Sequence, residues 1–266
     1  MKALISLFRV RFALTLQYRM AALAGFFTQF FFGFIAVMIF DAFFKSTDQA
    51  MPMSFAQTVT YIWLGQGFFH LLPWYGDRDV QLMIRNGDFA YEMLRPLDLY
   101  NYWYFKILAQ RIAGSALRAV PLFITAALIL PDPYSLGAPA SLSAFIFFLI
   151  SIISSILMGG TISNIITISS LYTIGSGIER LFAALVFILS GLDIPLSFFP
   201  DSMHLFLKIQ PFSGLVDAPY KFYLGIYHSQ DLIFTLLHQS VWAVIFIAAG
   251  QLLIAKAGRK IIVQGG

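Results

Sequence analysis

From residue 133 to residue 178 the chain runs through 46 positions without an Asp, Glu, Lys or Arg. About 20 predominantly apolar residues are enough to cross the hydrocarbon of a bilayer as a helix. This run has room for one crossing or two. Five more stretches meet the same requirement, at residues 20–43, 56–75, 112–130, 181–199 and 232–255. In lipid the backbone must satisfy its own hydrogen bonds, so stretches of this length read as helices. The expected fold class is an all-α membrane protein.

Composition agrees. Of the 266 residues, 59% are hydrophobic and 11% are charged, where a soluble domain carries roughly 25% charged residues. Mean hydropathy is +0.79. The absence of cysteine removes disulfides, thiolate metal sites and cysteine nucleophiles together. The four histidines, His70, His204, His228 and His238, form no HExxH-type pair. No GxxxxGK[ST] occurs, so no P-loop is available for nucleotide hydrolysis. No catalytic, cofactor-binding or metal-ligating residue is expected on this chain, and no nucleic-acid partner.

The N-terminus mimics a signal peptide only at Lys2. Arg9, Arg11 and Arg19 interrupt the hydrophobic region, and the uncharged stretch 20–40 is too long for one. It reads as a retained first span. The 133–178 run is then decided by parity. Both terminal segments are basic, with Lys2, Arg9, Arg11 and Arg19 at one end and Lys256, Arg259 and Lys260 at the other. An even number of spans keeps both on one side, so the run is assigned one span and the chain six. With both termini inside, fourteen Lys and Arg face the cytoplasm and three (Lys45, Lys208 and Lys221) face out. That bias fixes the expected orientation.

Three regions lie outside the spans. Residues 1–19 read as an interfacial helix, with Ala3, Leu7, Val10, Leu14 and Tyr18 as its apolar stripe and Arg11, Thr15 and Arg19 as a polar one. Residues 76–105 form the charged cytoplasmic segment. Residues 193–231 form an outer region in which Pro195, Pro200, Pro211 and Pro219 cut apolar runs below spanning length. Short helices dipping back into the outer leaflet are expected there.

Several local patterns stand out against this layout. Residues 85–98 read RNGDFAYEMLRPLD, residues 190–200 read SGLDIPLSFFP, and Pro211, Phe212, Pro219, Leu224 and Gly225 continue through the outer region. The tail ends VQGG at residues 263–266. Together with the order of parts, these resemble the six-span permease subunits of ABC exporters of the type-two superfamily. The tail is similar to that of a subfamily with paired permeases and a separate ATPase. The resemblance implies a half-transporter in the bacterial cytoplasmic (inner) membrane. A second permease subunit would complete the translocation path, as a heterodimer by preference or as a homodimer. Two ABC ATPase subunits would bind the cytoplasmic face, with ATP and Mg held by that partner and not by this chain. The resemblance also implies export.

Within residues 76–98, Asn86, Gly87 and Asp88 signal a turn, with Gly tolerating positive φ and Asp88 able to cap a helix begun after it. A short helix over 89–94 is expected, closed by Pro96. Arg85, Gly87, Asp88, Glu92 and Arg95 are the candidates for coupling to the ATPase; the bland alternative is a solvated, screened loop. A second pattern, Ser151, Ser155, Gly159, Ser163 and Thr167, recurs every four residues and lets helix backbones approach closely. It serves packing within the chain, a subunit interface or a cleft for an amphipathic substrate. Arg118 lies in the inner half of the third span, where it either snorkels to headgroups or acts in function. Glu179 and Arg180 form a local ion pair or a second ATPase contact. Trp74 and Trp103 are placed in an interfacial belt. The competing function is a secondary transporter or channel not driven by ATP, against which the spans show no acidic residue at their centres and no clear internal repeat.

Overall fold

The computed structural model describes residues 2–47, 50–94, 96–173 and 175–259. The protein is all-helical, with 77% of residues in helix. Helix α1 (Lys2–Thr15) leads into α2 (Arg19–Lys45), then α3 (Phe55–Phe68), extended by a 3-10 turn at Phe69–Leu71. Two short helices, α4 (Arg78–Arg85) and α5 (Phe89–Met93), precede the long α6 (Leu99–Leu128) and α7 (Leu142–Ser169). After α8 (Gly177–Leu189) come the short α9 (Asp201–Ile209) and α10 (Asp217–Tyr223), then the last long helix α11 (Ser229–Gly258).

The long uncharged run thus yields one helix. At about 1.5 Å per residue, α7 spans roughly 42 Å, and a turn beginning at Ser170 ends it. Its second half is buried on every side, from Met158 to Ser169, so α7 is the central post of the fold. Helices α10 and α11 pack on one flank of α7 and α6 on another, while α2, α3 and α6 form a second group and α1 lies along α6. By contrast α2 and α11 bury only four residues each, and their exposed Phe, Ile, Leu and Val side chains are what lipid solvates.

Among the described residues four helices are long and apolar enough to cross a membrane: α2, α6, α7 and α11. The other two expected spans give shorter helices. Helix α3 has 14 residues and α8 has 13, each roughly 20 Å long. The second expected span, 56–75, stops being α-helical at Phe68 and leaves its turn just before Pro73; the fifth, 181–199, stops at Ser190, where Gly191 turns the chain at φ +86°. The third starts earlier than expected. Charges at Lys106 and Arg111 place its beginning near residue 112 from sequence, yet α6 begins at Leu99, because both charges are buried and paired inside the protein. The charged segment is accordingly 76–98, with 99–105 inside α6.

The outer region contains two 3-10 turns, at Leu196–Phe198 and Pro211–Gly214, and the helices α9 and α10, of nine and seven residues. Prolines stand at or near the start of each piece, as the backbone chemistry of proline requires. The region is fastened to α3 and α7. Tyr220 Oη donates to Leu64 O at 3.1 Å, and Ser155 Oγ donates to Leu215 O at 2.7 Å.

Helix α1 forms where expected but presents a different face. Leu4, Leu7, Phe8, Arg11, Phe12, Thr15 and Leu16 are half-buried, whereas Val10, Leu14 and Tyr18 of the expected apolar stripe are exposed. The polar positions Arg11 and Thr15 turn inward because Asp79 and a polar cavity lie on that side.

Candidate functional site

Helix α4 is built by two end signals. Asp77 caps its start, accepting from Val80 N–H at 3.0 Å. At the other end Gly87, with φ +85°, closes a Schellman motif: Gly87 N–H donates to Ile84 O and Asp88 N–H to Met83 O. The chain then turns into α5. Asp88 stands at the N-cap position of α5 but its side chain makes no capping hydrogen bond, which corrects the sequence expectation. The second carboxylate cap is Asp98, which accepts from Asn101 N–H at 2.8 Å and starts α6.

Helix α5 is held by an aromatic anchor. Phe89 is buried against Trp103, with ring centroids 6.1 Å apart, in a cluster with Val80, Tyr100 and Ile168. Trp103 is fully buried, so it is not a belt residue. The candidates now divide. Arg85, Gly87 and Asp88 are exposed at the tip. Glu92, the remaining described candidate, is 8% exposed and so does not stand open at the tip as those three do. Arg95 lies outside the described residues. Sequence reasoning missed the apolar part of this tip. Tyr91 is 73% and Leu94 81% exposed; Met93 between them and Leu82 on α4 are also open. Exposed apolar side chains among charges are a mark of a binding surface.

Beneath the tip lies a buried charged hub. Lys106 Nζ on α6 reaches Asp77 Oδ1 at 2.8 Å and Asp79 Oδ2 at 3.3 Å. Asp77 and Lys106 are 3% and 4% exposed. Asp77 N–H donates to Thr167 Oγ1 on α7 at 2.8 Å, so one residue joins α4, α6 and α7. Gly76 makes this approach possible: a Cβ there would lie 2.6 Å from Thr167 Oγ1 and 2.8 Å from the Thr167 backbone nitrogen. Gly76→Ala is expected to push α4 off α7 and lower stability by about 1–3 kcal/mol, read as a lower unfolding midpoint in detergent. An unchanged midpoint would refute the tight contact.

Arg111 works alongside the hub. Its guanidinium is buried beyond the end of α3 and donates to the carbonyls of Leu72 and Tyr75, the latter at 2.7 Å. A cation there also complements the negative end of the helix. Glu179 on α8 accepts from Gln81 Nε2 of α4 at 3.3 Å, so it contacts the α4 unit. The small-residue stripe faces inward. Ser151, Ser155, Gly159 and Ser163 are all buried. Gln239 of α11 donates to Ser151, and Thr167 at the end of the series carries the Asp77 bond. Among the described residues no group of acidic side chains and histidines could hold a metal ion.

The tip, hub and central post therefore form one connected unit from an exposed end of the molecule into its interior. No curated protein and no solved structure matches the chain. A family model described as ABC-2 family transporter protein matches residues 30–265, from the first long helix through the C-terminal segment. A match over that extent, on a chain of apolar membrane-length helices, shows that this protein belongs to the ABC-2 transporter family, as an integral membrane permease of transmembrane transport.

Proposed function

We propose that the chain is one permease subunit of an ATP-driven exporter, with two ABC ATPase subunits and a second permease completing the complex. Six crossings are proposed, with α3 and α8 crossing together with their flanking residues and with both termini in the cytoplasm. The short pieces between α8 and α11 dip into the outer leaflet. ATP and Mg bind on the ATPase. Heterodimer is favoured over homodimer by the resemblance of the tail.

The observation that carries the coupling role is the composition of the α4–α5 tip. It presents Arg85, Tyr91 and Leu94, all exposed, while its own base is fixed to α6 and α7 by buried contacts. A motor domain pushing on such a tip moves a rigid unit, where a flexible loop would dissipate the displacement. Aromatic and Arg side chains are the commonest anchors of protein interfaces, each worth about 2 kcal/mol or more. The test is to purify the complex through a tag on this chain, identify the subunits, and repeat with Arg85→Glu and with Tyr91→Ala plus Leu94→Ala. Retention of the ATPase is expected to fall about 30-fold or more for the anchors, with the membrane fold intact. Wild-type retention and transport-coupled hydrolysis in both variants would reduce the tip to a solvated loop.

Orientation has its own check. The native chain has no cysteine, so Asp88→Cys introduces a single reporter at the exposed turn. A membrane-impermeant thiol reagent is expected to label it only after the membrane is opened. Labelling in intact cells would invert the topology.

A further inference from the structure

A cavity of about 550 Å³ opens between α1, the start of α2, the middle of α6 and the start of α4. Four cationic side chains, Arg11, Arg78, Lys106 and Arg118, line it with His70, against the carboxylate of Asp79. The charges do not cancel. Lys106 is committed to Asp77 and shares Asp79 with Arg11, whose own contact is long at 3.4 Å. Arg78 lies over the Tyr75 ring, 5.2 Å from its centroid. Arg118 meets only a ring nitrogen, His70 Nδ1 at 3.3 Å, and its Nε is buried without a hydrogen-bond acceptor among the described residues. Helix α2 contributes to this placement, because Gly25 leaves room for the Arg118 guanidinium: a Cβ there would lie 2.6 Å from Nε.

We propose that this cavity binds a phosphate-bearing anion. Arg118 is half-buried within a membrane-length helix, where a guanidinium without a carboxylate partner among the described residues is expensive unless an anion completes it, and the exposed Arg78, which also has no carboxylate partner among the described residues, adds a second fork at the mouth of the cavity. Guanidinium forks match phosphate oxygens in bidentate geometry, and such charge-assisted bonds are about twice as strong as neutral ones. The chemistry is the same whether the phosphate belongs to an anionic lipid headgroup or to a soluble phosphate. Leu14 and Leu117 line the same cavity, which gives an acyl chain an apolar wall beside the cationic floor. The site does not depend on the ATP-coupled reading.

The test uses the purified protein with whatever subunits accompany it. In one arm the delipidated sample is exposed to phosphatidylglycerol or phosphatidylcholine, and retained lipids are counted by native mass spectrometry. In the other, thermal unfolding is monitored in inorganic phosphate against chloride at equal ionic strength. A lipid occupant gives at least a tenfold preference for phosphatidylglycerol, reduced at least tenfold by Arg118→Gln and by Arg11→Gln. A soluble occupant gives a higher unfolding midpoint in phosphate, lost in the same variants. Arg11→Gln, on the half-exposed α1, keeps the test open if Arg118→Gln does not fold. Absence of both effects in the wild type overturns the proposal, as does either effect persisting undiminished in the variants.

Discussion

Lys106→Met is expected to lower the free energy of unfolding by about 3–5 kcal/mol, the cost of breaking a buried ion pair from one side. The ammonium is the only cation within ion-pair distance of Asp77 among the described residues. Without it, Asp77 keeps its cap to Val80 N–H, but its Oδ2 is already buried without a partner. A buried carboxylate left without its counter-ion draws water inward, which loosens α4 from α6. The reverse substitution is milder. Asp77→Asn still caps α4, and Lys106 keeps Asp79 at 3.3 Å, whose carboxylate is open to solvent. The double variant, Asp77→Asn with Lys106→Met, removes both charges and should recover part of the loss. Unfolding in mixed detergent micelles measures all three. Equal stability of wild type and Lys106→Met, within about 1 kcal/mol, would show the pair to be solvated in practice.

This hub explains why sequence reading placed the start of the third span too late. Lys106 and Arg111 look like headgroup or solvent charges, because a residue-by-residue tally assigns each to water. Their partners lie far away in sequence, Asp77 29 positions and the Tyr75 carbonyl 36 positions before them. No local pattern reports such pairs. The same blindness put Trp103 at a membrane interface, when it is fully buried against Phe89 of α5.

The legible parts obey local rules. Uncharged length alone gave α2 and α11 to within a few residues; for α7 it gave only the run 133–178 that contains it, and the parity of the basic termini gave one helix there. The Asn86, Gly87 and Asp88 turn and the short helix after it arise from glycine's access to positive φ, and the broken outer region arises from proline. Asp88 precedes α5 as a cap would, yet its side chain makes no capping bond, whereas Asp77, which no local pattern singled out, caps α4 and is held in place by Thr167 and Lys106. The hydrophobic face of α1 failed for a related reason: in a protein whose outside is lipid, an apolar stripe does not tell inside from outside.

A second buried pair, at the opposite end of the molecule, gives the other large effect. Asp217 opens α10 and is 3% exposed. Its Oδ1 accepts from Tyr61 Oη and from Leu196 N–H, each at 3.2 Å, and its Oδ2 meets Lys221 Nζ at 2.6 Å. One carboxylate thus ties α3, the link after α8, and α10. Burial alone would pull the Lys221 ammonium below its ordinary range. The Asp217 carboxylate, helped by Tyr227, outweighs this and raises it instead. For a raised lysine the stabilisation is complete below the unfolded value and is lost only as pH rises through the folded one. The Lys221 contribution is therefore expected to stay level from about pH 6 to 9. Asp217→Asn turns an amide donor or a neutral oxygen toward the ammonium and should cost about 3–5 kcal/mol at any pH in that window. The damage should be local to the outer end, because the α4–α5 tip has its own anchors in Trp103 and Lys106. Complexes carrying Asp217→Asn should therefore unfold earlier yet retain their partner at the tip as wild type does. Loss of that partner at temperatures where the variant is still folded would mean that the two ends are coupled more tightly than these separate hubs imply.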